Sequence, residues 1–353
     1  MSGIWKNNIG LSIFGESHGA CVGITMTGVE PGIELDYEFI QSELDRRKPG
    51  TSDMVTQRVE SDKFEILSGV FNDKTTGAPI TMIIRNENMI SRDYDGIKDR
   101  LRPGHADFTA KVKYNDFHDY RGGGHFSGRL TAGIVFAGAI AKDILLKKGI
   151  QICAQITSIG PIRDDELSDI ITLSDFENLK DSFPVVNDLK KGLMKKAIRD
   201  AKAELDSLGG TIRCFAIGVP VGLGDPYFES FESILSSLIF SVPAIKGLNF
   251  GSGLKLATMK GSEANDAYYI EDKIKTRTNH NGGILGGITN GMPIDFSVVV
   301  KPTPSISKKQ ESVNFESMTS TELQVVGRHD PCIVQRVVPV LESVLALTIL
   351  DRM

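Results

Sequence analysis

The chain has 353 residues, 41% hydrophobic and 24% charged, which is ordinary for a folded protein with a substantial core. A formal charge of −5 argues against a nucleic-acid or membrane-surface binder, because both favour a basic face. Cys21, Cys153, Cys214 and Cys332 show no C-x-x-C spacing, so neither a zinc site nor a dithiol centre is suggested and no metal is expected. The N-terminal ten residues lack a basic segment followed by an apolar run, and no stretch approaches a bilayer span, so a cytoplasmic location is expected. No Ser-, Pro- or Gly-rich tether divides the chain, and residues 1–353 are read as one domain.

In chain order, residues 9–27 read as short strands broken by a glycine-rich turn, and Gly28-Val29-Glu30-Pro31-Gly32 makes a sharp corner. Asp36 is a suitable N-cap for a helix that places Phe39, Ile40 and Leu44 on one face, gathers Arg46, Arg47 and Lys48 at its end and stops at Pro49-Gly50. Strands are expected over 65–70 and 80–85. Residues 130–148 are Ala-rich and apolar on most faces, which predicts a buried helix; a strand over 151–159 follows. The spacing over 188–208 predicts a helix ending at Gly209-Gly210. Residues 211–219 read as a strand, Gly218-Val219-Pro220-Val221-Gly222-Leu223 resembles the earlier corner, and a helix through Phe231, Leu235 and Leu238 comes next. This return of strand, corner and helix hints at an internal duplication. After a strand over 294–301, the polar stretch 302–325 reads as an exposed loop able to cover a site. Turns, not regular alternating helices, join most strands, so the expected fold class is α+β: antiparallel sheets packed with helices in one large domain.

The six histidines, His18, His105, His118, His125, His280 and His329, all fall in turn-like segments and none on a helical core face. A single histidine in such a place is most often structural; joint placement favours chemistry. Gly15-Glu16-Ser17-His18-Gly19 sets a serine beside an imidazole but is not the G-x-S-x-G elbow of hydrolases, so His18 is better read as a proton donor or a partner to an anion. The run Arg121-Gly122-Gly123-Gly124-His125-Phe126-Ser127-Gly128-Arg129 leads into the Ala-rich helix, where backbone amides and a helix N-terminus would bind an anion, although the run is neither a Walker loop nor a dinucleotide fingerprint. Arg46, Arg47, Arg102, Arg121, Arg129, Arg328 and Arg336 lie in or beside these segments. Such a gathering within an acidic protein suits a small, highly anionic substrate.

These segments resemble the chorismate synthase family from the first strand to the last helix. The matching stretches are residues 14–19 (F-G-E-S-H-G), 45–52 (D-R-R-K-P-G-T-S), 102–107 (R-P-G-H-A-D), 119–124 (D-Y-R-G-G-G), 280–287 (H-N-G-G-I-L-G-G), 301–303 (K-P-T) and 327–332 (G-R-H-D-P-C). The resemblance implies an anti 1,4-elimination of phosphate from 5-enolpyruvylshikimate-3-phosphate to give chorismate, with reduced FMN as cofactor and NADPH as a candidate flavin reductant. It implies that His18 protonates the departing phosphate, that His105 protonates or hydrogen-bonds the reduced flavin, and that Asp330 assists proton removal from flavin nitrogen 5. It assigns substrate charge to Arg46, Arg47, Arg102, Arg129 and Arg336. FMN contacts are implied for Arg47, His125, Phe126, Ser127, Pro243, Ala244, Gly286, Lys301, Pro302, Thr303, Pro304, Ser305 and Arg328. A homotetramer is implied as well.

Four positions depart from the family pattern. His125 stands where an arginine is common, Asp53 where an arginine is frequent, Pro304 replaces a serine, and Pro243 replaces an asparagine. The first predicts a weaker or pH-sensitive phosphate contact. Two other readings stay open: a flavin or anion binder that has lost the reaction, and a phosphate-ester lyase that needs no flavin.

Overall fold

The computed structural model describes residues 3–48, 62–86, 98–168, 170–179, 183–325 and 329–353. The first half contains strands β1 (Ile4–Lys6), β2 (Gly10–Gly15) and β3 (Cys21–Thr27), helix α1 (Tyr37–Arg47), β4 (Phe64–Ser68), the small hairpin β5 (Val70–Phe71) and β6 (Lys74–Thr75), β7 (Ile80–Arg85), α2 (Asp107–Lys113) and α3 (Thr131–Lys147). The second half contains β8 (Gln151–Ile159), β9 (Ile162–Arg163), α4 (Leu173–Asn178), α5 (Asp188–Ala203), β10 (Gly210–Ile217), α6 (Phe231–Ile239), β11 (Ile245–Phe250) and α7 (Gly261–Ala264). Two hairpins follow, β12 (Tyr268–Ile270) with β13 (Ile274–Thr276) and β14 (Ile284–Leu285) with β15 (Ile288–Thr289); then come β16 (Ile294–Val300), a hairpin of β17 (Gln310–Asn314) and β18 (Thr319–Leu323), and α8 (Val334–Arg352).

Two five-stranded antiparallel sheets, ordered β1-β2-β3-β7-β4 and β11-β16-β10-β8-β9, form the outer layers. Helix α3 packs on β3, α8 packs on β8 and β10, and the two helices pack on each other, giving a sheet–helix–helix–sheet sandwich. Both helices are apolar on nearly every face because each touches a sheet and its counterpart. One hydrophobic cluster runs through both sheets, from Ile24 and Met82 to Phe136, Leu341, Ile212 and Phe296.

The hinted duplication is written in the topology. In chain order β2, β3, α1, β4, β7 and α3 correspond to β8, β10, α6, β11, β16 and α8, and the sheet orders β2-β3-β7-β4 and β8-β10-β16-β11 coincide. The corners agree too: Gly28 and Gly218 take φ of 86° and 80°, and a Cβ on either would overlap the backbone carbonyl just before the preceding strand, of Asn8 or of Gly149.

Local physics explains where elements stop. Asp36 caps α1 by accepting from the Phe39 amide at 2.8 Å. The helix expected over 188–208 ends instead at Ala203, because Leu205 adopts φ of 62° and the Asp206 amide reaches back to the Ala201 carbonyl at 2.9 Å, a left-handed helix stop usually given to glycine. The stretch 302–325 is not a plain loop: β17 and β18 pair across it, and Asn314 shapes the turn by accepting from the amides of Glu316 and Ser317. This hairpin docks on the segment before His105, with the Leu101 amide donating to Val313 and the Phe315 amide to Asp99.

Candidate active site

The tight link between β2 and β3 carries Ser17 and His18, both almost wholly buried. It lies against the glycine run that precedes α3: the Ser17 amide donates to the Gly124 carbonyl at 3.1 Å. Gly122, Gly123 and Gly124 take φ of 59°, 87° and 51°, three left-handed steps in succession. A Cβ on Gly122 would overlap the His18 ring, and one on Gly123 would come within 3.3 Å of His105 Nε2, so one glycine arch brings both imidazoles together. Beyond it the Ser127 hydroxyl accepts from the Arg129 amide at 3.2 Å and the Leu130 amide donates to the Ser127 carbonyl, so the entry to α3 is capped from within. The helix N-terminus expected to bind an anion is thus partly occupied by its own chain.

His105 precedes α2 and donates or accepts at Nδ1 with Asp107 Oδ1, 2.6 Å away. Asp107 also accepts from Arg102 Nε at 2.8 Å and Nη2 at 2.7 Å, and Arg102 Nη1 reaches the Ser305 hydroxyl at 3.4 Å. Lys301 donates from Nζ to the Gly104 carbonyl and from its amide to the Ala244 carbonyl at 2.9 Å. Ala244 holds φ of 74°, a strained conformation for a residue with a side chain, next to Pro243. Burial pushes the His105 imidazole below its ordinary pKa, with Arg102 and Lys301 acting the same way, although the bond to Asp107 opposes them. The Thr303 hydroxyl is buried with no hydrogen-bond partner. Pro302 and Pro304 flank it, and Pro304 sits 3.6 Å from where a Gly104 Cβ would be.

A second group adjoins the same loops. Arg47, at the end of α1, pairs with Asp62 at 2.6 Å; Arg129 pairs with the other oxygen of Asp62. Burial alone would raise the Asp62 carboxyl, yet the two guanidiniums hold it at about 2. Arg336 pairs with Asp330 and donates from Nε to the Arg47 carbonyl at 3.0 Å. Asn86 joins the groups: its Oδ1 accepts from Arg129 Nε at 3.1 Å, and its Nδ2 donates to the carbonyls of Glu16 and Gly19 on either side of His18.

Most of the expected residues therefore meet, but not all. Arg46 turns the other way, its guanidinium held by Glu342 at 2.6 and 2.8 Å and by Glu43 at 2.9 Å, in a group with Lys142 between α1, α3 and α8. One residue apart on a helix is about 100°, so Arg46 and Arg47 leave α1 in different directions, and Arg46 is placed apart from the loops that carry His18 and His105. Gly286 belongs with Gly287 to the β14–β15 turn, and a Cβ on Gly287 would meet Ser230 of the second half. His125 donates from Nδ1 to the Gly15 carbonyl at 2.9 Å, and Phe126 packs on the Tyr114 ring. His280 pairs with Ser252 in a loop of the second half. Arg328 and Asp53 lie outside the described residues.

Sequence reasoning missed Asp62, Asn86, the pairing of Asp107 and the position of His118. The last lines a small cavity with His105, Asp119, Tyr120 and Phe126, and its Nδ1 is buried without a hydrogen-bond partner. Placement in an R-P-G-H-A-D segment signalled Asp107; nothing local marks Asp62.

The residues present suit a flavin phosphate and its ring: an orphaned Thr303 hydroxyl beside Lys301 and Ser305, and two imidazoles that can come together only because the arch between them is glycine. Buried imidazoles and guanidiniums set on the connections of a repeated scaffold are the make-up of an enzyme. A family model described as chorismate synthase matches residues 9–353. The chorismate synthase of Korarchaeum cryptofilum is 48% identical over 352 residues, covering 99% of this chain and 96% of that protein. That of Pyrococcus abyssi is 46% identical over 347 residues, covering 98% of this chain and 96% of its own. A chorismate synthase crystal structure aligns with a TM-score of 0.77 at 30% identity, covering 98% of this chain and 91% of that one. The chain belongs to the chorismate synthase family and is, with it, a lyase of aromatic biosynthesis.

Proposed function

We propose that this protein converts 5-enolpyruvylshikimate-3-phosphate to chorismate by anti 1,4-elimination of phosphate, with reduced FMN bound beside the substrate. The observation that carries the reading is the glycine arch, which seats His18 and His105 on neighbouring glycines with buried guanidiniums close by. Reduced FMN, when bound, supplies electron density to the ring as phosphate departs and takes up the hydrogen lost from carbon 6. His18 protonates the leaving phosphate. Arg47, Arg102, Arg129 and Arg336 neutralise its charge and that of the carboxylates, in a setting where burial strengthens each pair. His105 hydrogen-bonds the cofactor, and Asp330, oriented by Arg336, is the proton acceptor that closes the cycle. Lys301, Thr303 and Ser305 would hold FMN, with Pro302 and Pro304 shaping their strand, while His125, Phe126, Ser127, Pro243 and Ala244 border it. The β17–β18 hairpin closes over it. Family membership supports the wider reading of a cytoplasmic homotetramer in which residues 1–353 form one unit and NADPH is the candidate reductant.

The test is anaerobic turnover with reduced FMN, with oxidised FMN, and with NADPH plus oxidised FMN. Equal release of chorismate and phosphate with reduced FMN is the expected result, and the NADPH arm reports self-reduction. Product formed without any flavin would replace this reading with a flavin-free lyase. Bound FMN with no product under any condition would leave a binder.

A further inference from the structure

We propose that Asp107 is a positioning residue that keeps the His105 proton on Nδ1, so that Nε2 meets the cofactor as a hydrogen-bond acceptor. The proposal rests on the reading of His105 as a cofactor contact and adds the direction of its hydrogen bond. Asp107 is the first residue of α2, where the helix dipole favours a carboxylate. Its two oxygens receive Arg102 Nε, Arg102 Nη2 and the Arg102 amide at 2.8, 2.7 and 2.9 Å, besides facing His105 Nδ1 at 2.6 Å. A carboxylate met by that many donors is ionised, and an ionised carboxylate can only accept. Its pKa is held well below the usual carboxylate range: burial acts upward, but hydrogen bonds from Arg102 and His105 outweigh it. The hydrogen in the 2.6 Å contact therefore sits on Nδ1.

A second proton would have to enter at Nε2. Arg102 and Lys301 stand on the near side and oppose it, and burial opposes it too. Across the small cavity lie His118, Asp119 and Tyr120. Asp119 is already engaged, accepting from Arg121 Nε at 2.8 Å and Nη2 at 2.8 Å, and offers little support to an imidazolium. Burial, Arg102 and Lys301 thus favour the neutral ring, against the pull of Asp107. Nε2 points toward Gly123, where a Cβ would stand 3.3 Å away, and among the described residues it makes no hydrogen bond. The free edge of the ring is a lone pair facing the one side of the loop that lacks a side chain.

A carboxylate that merely anchored Arg102 would leave the tautomer unset, and nitrogen NMR of histidine-labelled full-length protein separates the two cases. The His105 signals are assigned by their loss in His105→Gln. At pH 7.5 the wild type is expected to show Nδ1 protonated and Nε2 bare, and Asp107→Asn is expected to move a large share of the population to protonated Nε2. The same substitution should lower kcat about 10- to 100-fold with KM changed less than about threefold, as found when the group orienting an imidazole is removed, and Asp107→Glu should recover part of both signals. A wild-type spectrum with protonated Nε2 overturns the proposal without any variant, as does an Asp107→Asn protein that keeps both the tautomer and its kcat. The expected tautomers in a protein that makes no chorismate would uphold the positioning by Asp107 and sink the proposed reaction instead.

Discussion

In the first half the connection from β7 to α3 carries Arg102, His105, Asp107, the glycine arch and Arg129; in the second half the equivalent connection, from β16 to α8, carries Lys301, Thr303, Ser305, Asp330 and the β17–β18 hairpin. The two leave their sheets alike, since Asn86 directly follows β7 and Lys301 directly follows β16, and each uses its side chain to hold a loop of the site. They then meet, through Arg102 and Ser305, Gly104 and Lys301, and Leu101 and Val313. What differs is chemistry: imidazoles and an arch on one side, hydroxyls, lysine and a carboxylate on the other. The repeated topology supplies the scaffold, and the site lies where the two equivalent connections face each other. Neither half can hold it alone.

If the first half carries the proton chemistry, His18→Ala, in the β2–β3 link, should lower kcat per folded molecule by about 10²- to 10⁴-fold. Turnover within tenfold of wild type would move that role elsewhere. The bond between the halves is the buried group of Glu43, Arg46 and Lys142 from the first with Glu342 from the second. Burial acts to raise the Glu342 carboxyl, and Arg46 and Lys142 overcome it and hold it low. Glu342→Ala should cost about 3–5 kcal/mol in urea unfolding, since it strands buried cations, yet leave turnover per folded molecule close to wild type. A large drop in kcat with unchanged stability would put Arg46 back in the site. A smaller effect is expected where the halves touch most closely. A Cβ on Gly138 of α3 would lie 2.5 Å from Ser343 Cα of α8, so Gly138→Ala should destabilise by about 2–3 kcal/mol despite the better helix propensity of alanine. An unchanged midpoint would show that the seam can yield.

Much of this was legible beforehand, for identifiable reasons. The Asp36 cap, the apolar run of α3 and the strand β7 are local signals, and the paired corners at Gly28 and Gly218 are short enough to read by eye. Leu205 gave no warning of a left-handed helix stop, because leucine has no chemistry that announces one. The β17–β18 hairpin hid because Ser, Thr and Glu occupy both of its faces, which removes the alternation that marks a strand. In the site, scarce residues stood out, histidines in turns and arginines near glycines, and Asp107 came with its R-P-G-H-A-D segment. Asp62 in the site and Glu342 outside it did not stand out: they are two of many acids, and only their partners distinguish them.

Asp62 also separates the halves by their response to acid. It lies two residues before β4; the equivalent place before β11 is Pro243, which cannot titrate. The folded-state pKa of Asp62 is lowered to about 2, so its contribution is fully present above the unfolded value near 3.8 and is lost as pH falls from there through about 2. The shift corresponds to about 2 kcal/mol. In urea unfolding, the stability difference between wild type and Asp62→Asn should stay level from pH 7 to about 5 and then shrink steadily below about 4, as the wild-type carboxyl takes up its proton and comes to resemble the amide. The same series on Pro243→Ala should be flat across that range. A difference for Asp62→Asn that is equally flat would mean that Arg47 and Arg129 do not hold the carboxylate ionised, and that the acid response of the first half arises elsewhere.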